Sequence, residues 1–363
     1  MLGKRKENDR TFHVFLGFDG FVDRIIKPVR TKTNTRKVPF QTMREFSSYI
    51  GEKGGKSCSI DLETIAEKIG GNMPITANAL GNLGCRVTCI GALGYPEINP
   101  IFKNMSSNCK LMSVSEPGYC DSLEFENGKL MLANNTSIDR LGYEQMVSVI
   151  GEDRLIESVN GCDAAAFLNW GEMIHSNDIW EKFLEHIIPS CTFPKKKIMM
   201  IDFSDFSKRE TSEVEEMAEL VNRYAEYFDI TISLNENEID LLVDKLGFSE
   251  ADASLENKIK AVSQKVNCKN LVVHRLESSC YIQDKEIHTV RKEVIDHPKI
   301  ITGGGDHFNA GLLYGLLLEL DIRQAIKVGS GLSCLYVKDG QGVDLSKLEQ
   351  YVADYNKNWK KEM

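Results

Sequence analysis

The stretch 299–320, KIITGGGDHFNAGLLYGLLLEL, sets three consecutive glycines and an aspartate ahead of a long apolar run. The apolar residues recur at helical spacing, which puts Gly303, Gly304 and Gly305 at the mouth of a helix. Glycine admits positive φ and lets a ligand approach the backbone closely. The first turn of a helix leaves N–H groups unpaired and partly positive, so a glycine-rich entry makes a cradle for an anion. Asp306 then has two readings. It is a favoured capping residue that closes the helix end. Beside amides that face a transferring phosphoryl group, it is also a base that takes the proton of an attacking hydroxyl. The same amides are expected to keep it ionised near neutral pH. The stretch is not a P-loop, because no Gly-x-x-x-x-Gly-Lys-Ser/Thr occurs. Nor is it the dinucleotide fingerprint, which needs G-x-G-x-x-G directly after an early strand.

Outward from this motif, short apolar runs alternate with helical patterns. Residues 13–18, 87–94, 164–170, 197–203, 229–234 and 270–276 read as strands buried on both faces. Residues 213–228 and 255–267 read as amphipathic helices. Repeated alternation predicts an α/β fold, a three-layer sandwich with a mostly parallel central sheet. Ligands then sit beyond the C-terminal ends of the strands. Two segments break the rhythm. Residues 24–69 are rich in Lys, Thr, Arg and Ser and read as an exposed excursion. Residues 115–138 hold two extended runs around Asn127-Gly128, a hairpin signal. A small β lid over a cleft fits both segments, and so does a surface insertion.

With 363 residues the chain is long enough for one large domain, taken as 1–363. A net charge of −9 argues against nucleic acid or a membrane surface as partner, since both call for a basic footprint. The ten cysteines lie scattered, without metal-ligand spacing, and no run of about 18 apolar residues occurs. The first residues lack the apolar core of a secretion signal, and a cytoplasmic protein with reduced thiols is expected.

Residues 302–311, TGGGDHFNAG, resemble the C-terminal signature of the ribokinase-like, or phosphofructokinase-B-type, carbohydrate kinases. Three further stretches fall in that family's order. GGNMPITANALGNLG (70–84) resembles its N-terminal signature, and CRVTCIGALG (85–94) its next strand. SLNENEIDLL (233–242) resembles its Asn-x-x-Glu segment. The resemblance spans about residues 13–340. It implies an ATP- and Mg²⁺-dependent kinase acting on a hydroxyl of a small carbohydrate, with a nucleoside kinase and a non-catalytic binding relative as alternatives.

Carried over residue by residue, the resemblance makes Asp306 the general base, so that it both caps its helix and catalyses. The amides of Gly303, Gly304 and Gly305 become the anion hole. Asn235 and Glu238 would help hold Mg²⁺ and its waters; as residues alone they also read as a helix cap with supporting acids. Thr302, His274 and Arg275 fall near the nucleotide, with a surface ion pair as the other reading of Arg275. On the acceptor side, Asp23 matches the family's sugar-binding aspartate and Asp19 competes with it. Gly70, Gly71 and Asn72 would line the same pocket. Departures from the pattern fall mostly at the acceptor end. Ile75 stands where the family has Asn. Ile300-Ile301-Thr302 lacks the usual leading Asp, which puts a K⁺ site in doubt. Asp202, Asp205 and Arg209 are expected to position the cleft, Trp170 to lie in the core, and Glu172 to meet a sugar ring. The lid excursion also leaves room for a homodimer formed through it.

Overall fold

The computed structural model describes residues 10–248 and 254–358. Its centre is a nine-stranded sheet. The strands are β1 (His13–Phe18), β5 (Arg86–Gly91), β6 (Cys109–Ser113), β9 (Ala164–Leu168), β10 (Lys197–Asp202), β11 (Phe228–Leu234), β12 (Asn270–His274), β13 (Ser278–Gln283) and β14 (Glu286–Arg291). They run in the order β14-β13-β12-β11-β10-β9-β1-β5-β6. From β6 to β12 all neighbours pair in parallel, and β13 and β14 close the edge as antiparallel strands.

Side chains alternate between two cores, as the period of a strand requires. Phe15, Phe167, Met199 and Ile201 face one layer of helices with Trp180, Phe183 and Tyr224. Leu16, Ala166, Leu168 and Met200 face the other, with Leu80, Phe308, Leu312 and Leu332. The second layer carries the glycine-led helix Gly304–Leu317 against its successor Ile322–Asp339. The two pack closely because Gly311 lies on Gly329, where a Cβ would meet the neighbouring Cα at 2.8 Å.

A second sheet has five strands: β2 (Phe21–Lys32), β3 (Lys37–Pro39), β4 (Asp61–Gly70), β7 (Gly118–Phe125) and β8 (Gly128–Asn134). The excursion 24–69 therefore supplies strands as well as the helix Met43–Gly51. The hairpin stands where Asn127-Gly128 placed it, with Phe125 paired to Gly128. The two excursions join into one sheet because β2 and β7 pair in parallel, Asp23 opposite Cys120. One face of this sheet has its own small core of Ile26, Phe40, Phe46 and Leu123, with Phe46 supplied by the helix. None of the ten cysteines forms a disulfide. No helix among the described residues is long and apolar enough to cross a membrane.

Candidate active site

The strand order reverses at β1, with β5 on one side and β9 on the other, and polar residues gather at the C-terminal ends of the parallel strands. Asp19 follows β1, Asn169 follows β9, Asp202 ends β10, Asn235 follows β11, and His274 ends β12. The glycine-led helix points its N-terminus at this row, with Asp306 in its first turn.

Asp306 does not cap the helix, against expectation. The capping position is Gly303, in the left-handed region at φ 88°, ψ 0°, and no side chain caps this end. Asp306 lies inside the first turn and is buried, and its Oδ1 has no hydrogen-bond partner among the described residues. Its carboxyl is pushed well above the ordinary range by burial first, then by the nearby charges of Asp202 and Asp19. Burial thus outweighs the downward pull expected from the helix amides. A helix terminus contributes roughly 0.3–1 kcal/mol at an exposed site, whereas desolvating a carboxylate costs several. A raised pKa makes a stronger base.

The two candidate acceptor aspartates separate clearly. Asp19 is fully buried and fully engaged: Oδ2 accepts the Asn72 N–H at 2.8 Å and Asn169 Nδ2 at 2.7 Å, and Oδ1 accepts the Met73 N–H at 2.8 Å. It serves as the anion at the mouth of the helix Asn72–Asn82. The carboxyl of Asp23, on β2, has no hydrogen-bond partner among the described residues and stands beside Lys129 and Lys68. Burial pushes both carboxyls up to about 6. The Gly70-Gly71 pair follows from this arrangement. A Cβ on Gly70 would fall 2.3 Å from Asp23 Oδ1, and one on Gly71, at φ 88°, 2.7 Å from Asp19 Oδ2. Asn72 contributes its backbone N–H to Asp19, while Ile75 is half-buried.

Asp202 is buried, accepts the Ser204 N–H at 2.8 Å and Asn309 Nδ2, and is pushed up to about 6 by burial. It ties the sheet to the glycine-led helix, a positioning role as expected. Asp205 is exposed, and Trp170 is core, packed on Phe203, Phe206 and the buried Arg209. Glu172 accepts from Asn135 Nδ2 at 2.6 Å.

A cavity of about 430 Å³ adjoins the other side of the glycine loop. It brings together Asn235, His274, Arg275, Gly304 and Gly305, all singled out by sequence. Its apolar walls, Leu276, Ile301 and Val337, were not; scattered single residues give no periodic signal. His274 packs on Phe308 at 4.9 Å, and burial pushes it down to about 3, so it is neutral. Arg275 Nε pairs with Glu236 at 2.6 Å on the exposed rim, the ion-pair reading of this residue. Thr302 is exposed outside these walls; its Oγ1 accepts from Lys129 of β8, and its carbonyl accepts from Tyr336 at 3.3 Å.

Asn235 and Glu238 form a reciprocal capping box. Asn235 Oδ1 accepts the Glu238 N–H at 3.0 Å, and both Glu238 oxygens accept from Asn235, at 2.8 and 2.6 Å. The capping reading is therefore correct, and it leaves a buried carboxyl. Burial and then Asp202 push Glu238 well above the ordinary range, and it has no ion-pair partner among the described residues. Such a group, with hard oxygen donors and a neighbouring cavity lined by Asp205, Asp240 and Asp244, fits a divalent cation. No group of three or more His, Cys, Asp or Glu among the described residues could hold a metal by itself.

Sequence reasoning missed Asn169. Its side chain reaches Asp19 from a backbone at φ 60°, and its Oδ1 is buried without a partner. The available signal was a polar residue directly after the buried run Ala164–Leu168.

Residues 6–355 match the family model of prokaryotic ketohexokinase. A ketohexokinase of Haloferax volcanii is 26% identical over 347 residues, covering 94% of this chain and 91% of that one. The adenosine kinase of Sinorhizobium meliloti superposes with a TM-score of 0.65 at 16% identity, covering 95% of this chain and 99% of that one. A ribokinase-II-like chain of E. coli, solved in complex with ATP and Mg²⁺, gives 0.63 at 14% identity, covering 95% and 100%. At such identities the two structures show a shared kinase fold and nothing of the acceptor.

Proposed function

The chain belongs to the prokaryotic ketohexokinase family and is a carbohydrate kinase; on that premise we propose that it transfers the γ-phosphoryl group of ATP to a hydroxyl of a ketohexose. The observation that carries the mechanism is Asp306: a buried carboxyl with an unpartnered oxygen, at the uncapped mouth of a glycine-led helix. The acceptor sugar lies between Asp23 and Asp306. Asp23 orients it through its hydroxyls, having no partner of its own to give up. As the sugar oxygen attacks the γ-phosphorus, its proton passes to Asp306. The bond from that phosphorus to the bridging oxygen breaks, and ADP leaves with the electron pair. The N–H groups of Gly303 and Gly305 face the charge that spreads over the phosphoryl oxygens, while that of Gly304 bonds the Ile301 carbonyl at 3.2 Å. ATP occupies the cavity beside the loop, its base against Leu276, Ile301 and Val337. Asn235 and Glu238 would hold Mg²⁺, which supplies charge neutralisation at the phosphates. The small sheet, touching the loop through Lys129, excludes water so that ATP is not hydrolysed. A nucleoside acceptor is not favoured, because the family and the curated relative are both ketohexokinases.

The test is ADP release from Mg-ATP with a panel of ketohexoses, aldohexoses, pentoses and nucleosides, followed by NMR of the product. Ketohexose-dependent release is expected, with the NMR naming the hydroxyl. Asp306→Asn should lower kcat by about 10²- to 10⁴-fold while ATP still binds. A wild-type protein that prefers a nucleoside, or an Asp306→Asn variant at full rate, refutes the reading.

A further inference from the structure

We infer that His307 and Tyr336 form a ring pair that holds the glycine loop in its phosphoryl-receiving shape, so that both are positioning residues for the transfer; this rests on the reading of the glycine amides and Asp306 as the reaction centre. His307 directly follows Asp306 and is buried. Its ring lies flat on Tyr336, centroids 3.5 Å apart and planes 11° from parallel. Nδ1 sits 2.8 Å from the Gly303 carbonyl oxygen, which also accepts the His307 backbone N–H at 3.1 Å. Tyr336, one helix away, donates its hydroxyl to the Thr302 carbonyl at 3.3 Å. Its phenol lies against the bare side of Gly303, where a Cβ would come within 3.1 Å of the phenol oxygen.

Each ring thus holds one carbonyl of the loop, and a peptide unit is planar. Fixing the Thr302 carbonyl fixes the Gly303 N–H across the same plane. Fixing the Gly303 carbonyl does the same for the Gly304 N–H, which at rest bonds Ile301 O at 3.2 Å. A donor aimed in advance at the developing charge, as the Gly303 N–H is here, needs no reorganisation at the moment of reaction. The pair is suited to a place beside a base. Burial pushes His307 down to about 4, so the ring is neutral. A carbonyl can only accept, which places the single ring proton on Nδ1. A charged imidazolium beside Asp306 would instead stabilise the carboxylate and weaken it as a base. Lys129 of the small sheet bonds the Thr302 side chain, so the segment that the rings hold is also the one the small sheet touches.

The test compares kcat and the KM values for ATP and sugar in the full-length wild type, His307→Ala, His307→Asn, Tyr336→Leu and Tyr336→Phe. His307→Ala and Tyr336→Leu should each lower kcat by about 10- to 100-fold, with both KM values within about twofold of wild type. His307→Asn returns an N–H near the place of Nδ1 and should recover part of the loss. Tyr336→Phe keeps the stacked ring and should lose less than about fivefold. Where His307→Ala does not fold, the Asn and Phe variants carry the comparison. Full kcat with only a lower Tm makes the rings mere packing and overturns the inference, as does a rise in KM at unchanged kcat. A wild type inactive on every ketohexose overturns the proposed function beneath it; an active wild type with full-rate ring variants overturns the ring pair alone.

Discussion

Two of the described helices are entered through consecutive glycines, Gly70-Gly71 and Gly303 to Gly305, and the chain treats their mouths in opposite ways. At Asn72–Asn82 the N–H groups of Asn72 and Met73 are taken by Asp19, an anion supplied from the end of β1. At Gly304–Leu317 no side chain caps the end, and Asp306 lies within the first turn with an oxygen left over. The chemistry of the two mouths is similar, and Gly71 and Gly303 share φ 88°. A glycine-rich helix mouth is open to a ligand only where the protein withholds its own anion. The first mouth stores the attraction as stability; on the proposed reading, the second keeps it for a substrate.

The contrast is broken most directly by adding a methyl group at each mouth. Gly71→Ala sets a Cβ 2.7 Å from Asp19 Oδ2 at a positive φ and should cost about 2 kcal/mol or more in stability, visible as a Tm lower by several degrees. Gly303→Ala costs about 1 kcal/mol for its left-handed backbone, but it pushes on Tyr336 and should lower kcat about tenfold or more. Equal effects on Tm and on kcat at both positions would erase the distinction.

A second pair of variants sharpens it. Asp19→Asn should lower stability by roughly 1–3 kcal/mol, because it weakens the acceptor of two backbone donors. Asp23→Asn should leave Tm within about two degrees and raise the sugar KM about tenfold. The smallest effect is one of pH. Asp19, Asp23 and Asp202 are each raised to about 6 by burial, so each binds its proton more tightly folded than unfolded. The stability they contribute is complete below about pH 4 and is lost as pH rises through about 6. Without ligands, Tm should be a few degrees higher at pH 5 than at pH 7.5. Activity should run the other way, falling in acid as Asp306 becomes protonated. A Tm that climbs steadily from pH 5 to 7.5 contradicts the burial of these groups.

Much of this was legible in residue order. The central strands His13–Phe18, Lys197–Asp202 and Phe228–Leu234 are short runs buried on both faces, and so were found within a few residues of their ends. The glycine loop and Asn235…Glu238 were found because their spacing is local. β4 was hidden: DLETIAEKIG is exposed along most of its length, and only its antiparallel pairing with β2 makes it a strand. The choice between Asp19 and Asp23 could not be made from a spacing; it turns on which carboxylate the helix Asn72–Asn82 has already claimed. The ring pair joins residues 29 positions apart on two helices, and no local pattern announces it.

The small sheet has a mechanical consequence of its own. The chain passes between it and the main body four times, at residues 19–20, at 71, at 114–117 and after Asn134. A flap on one tether can swing free; a sheet moored at four short crossings can only rock about them. Two of those moorings carry Asp19 and Gly71, and Asp23 lies just beyond the first. If Asp23 holds the sugar as proposed, grasping it and tilting the sheet are motions about the same few bonds.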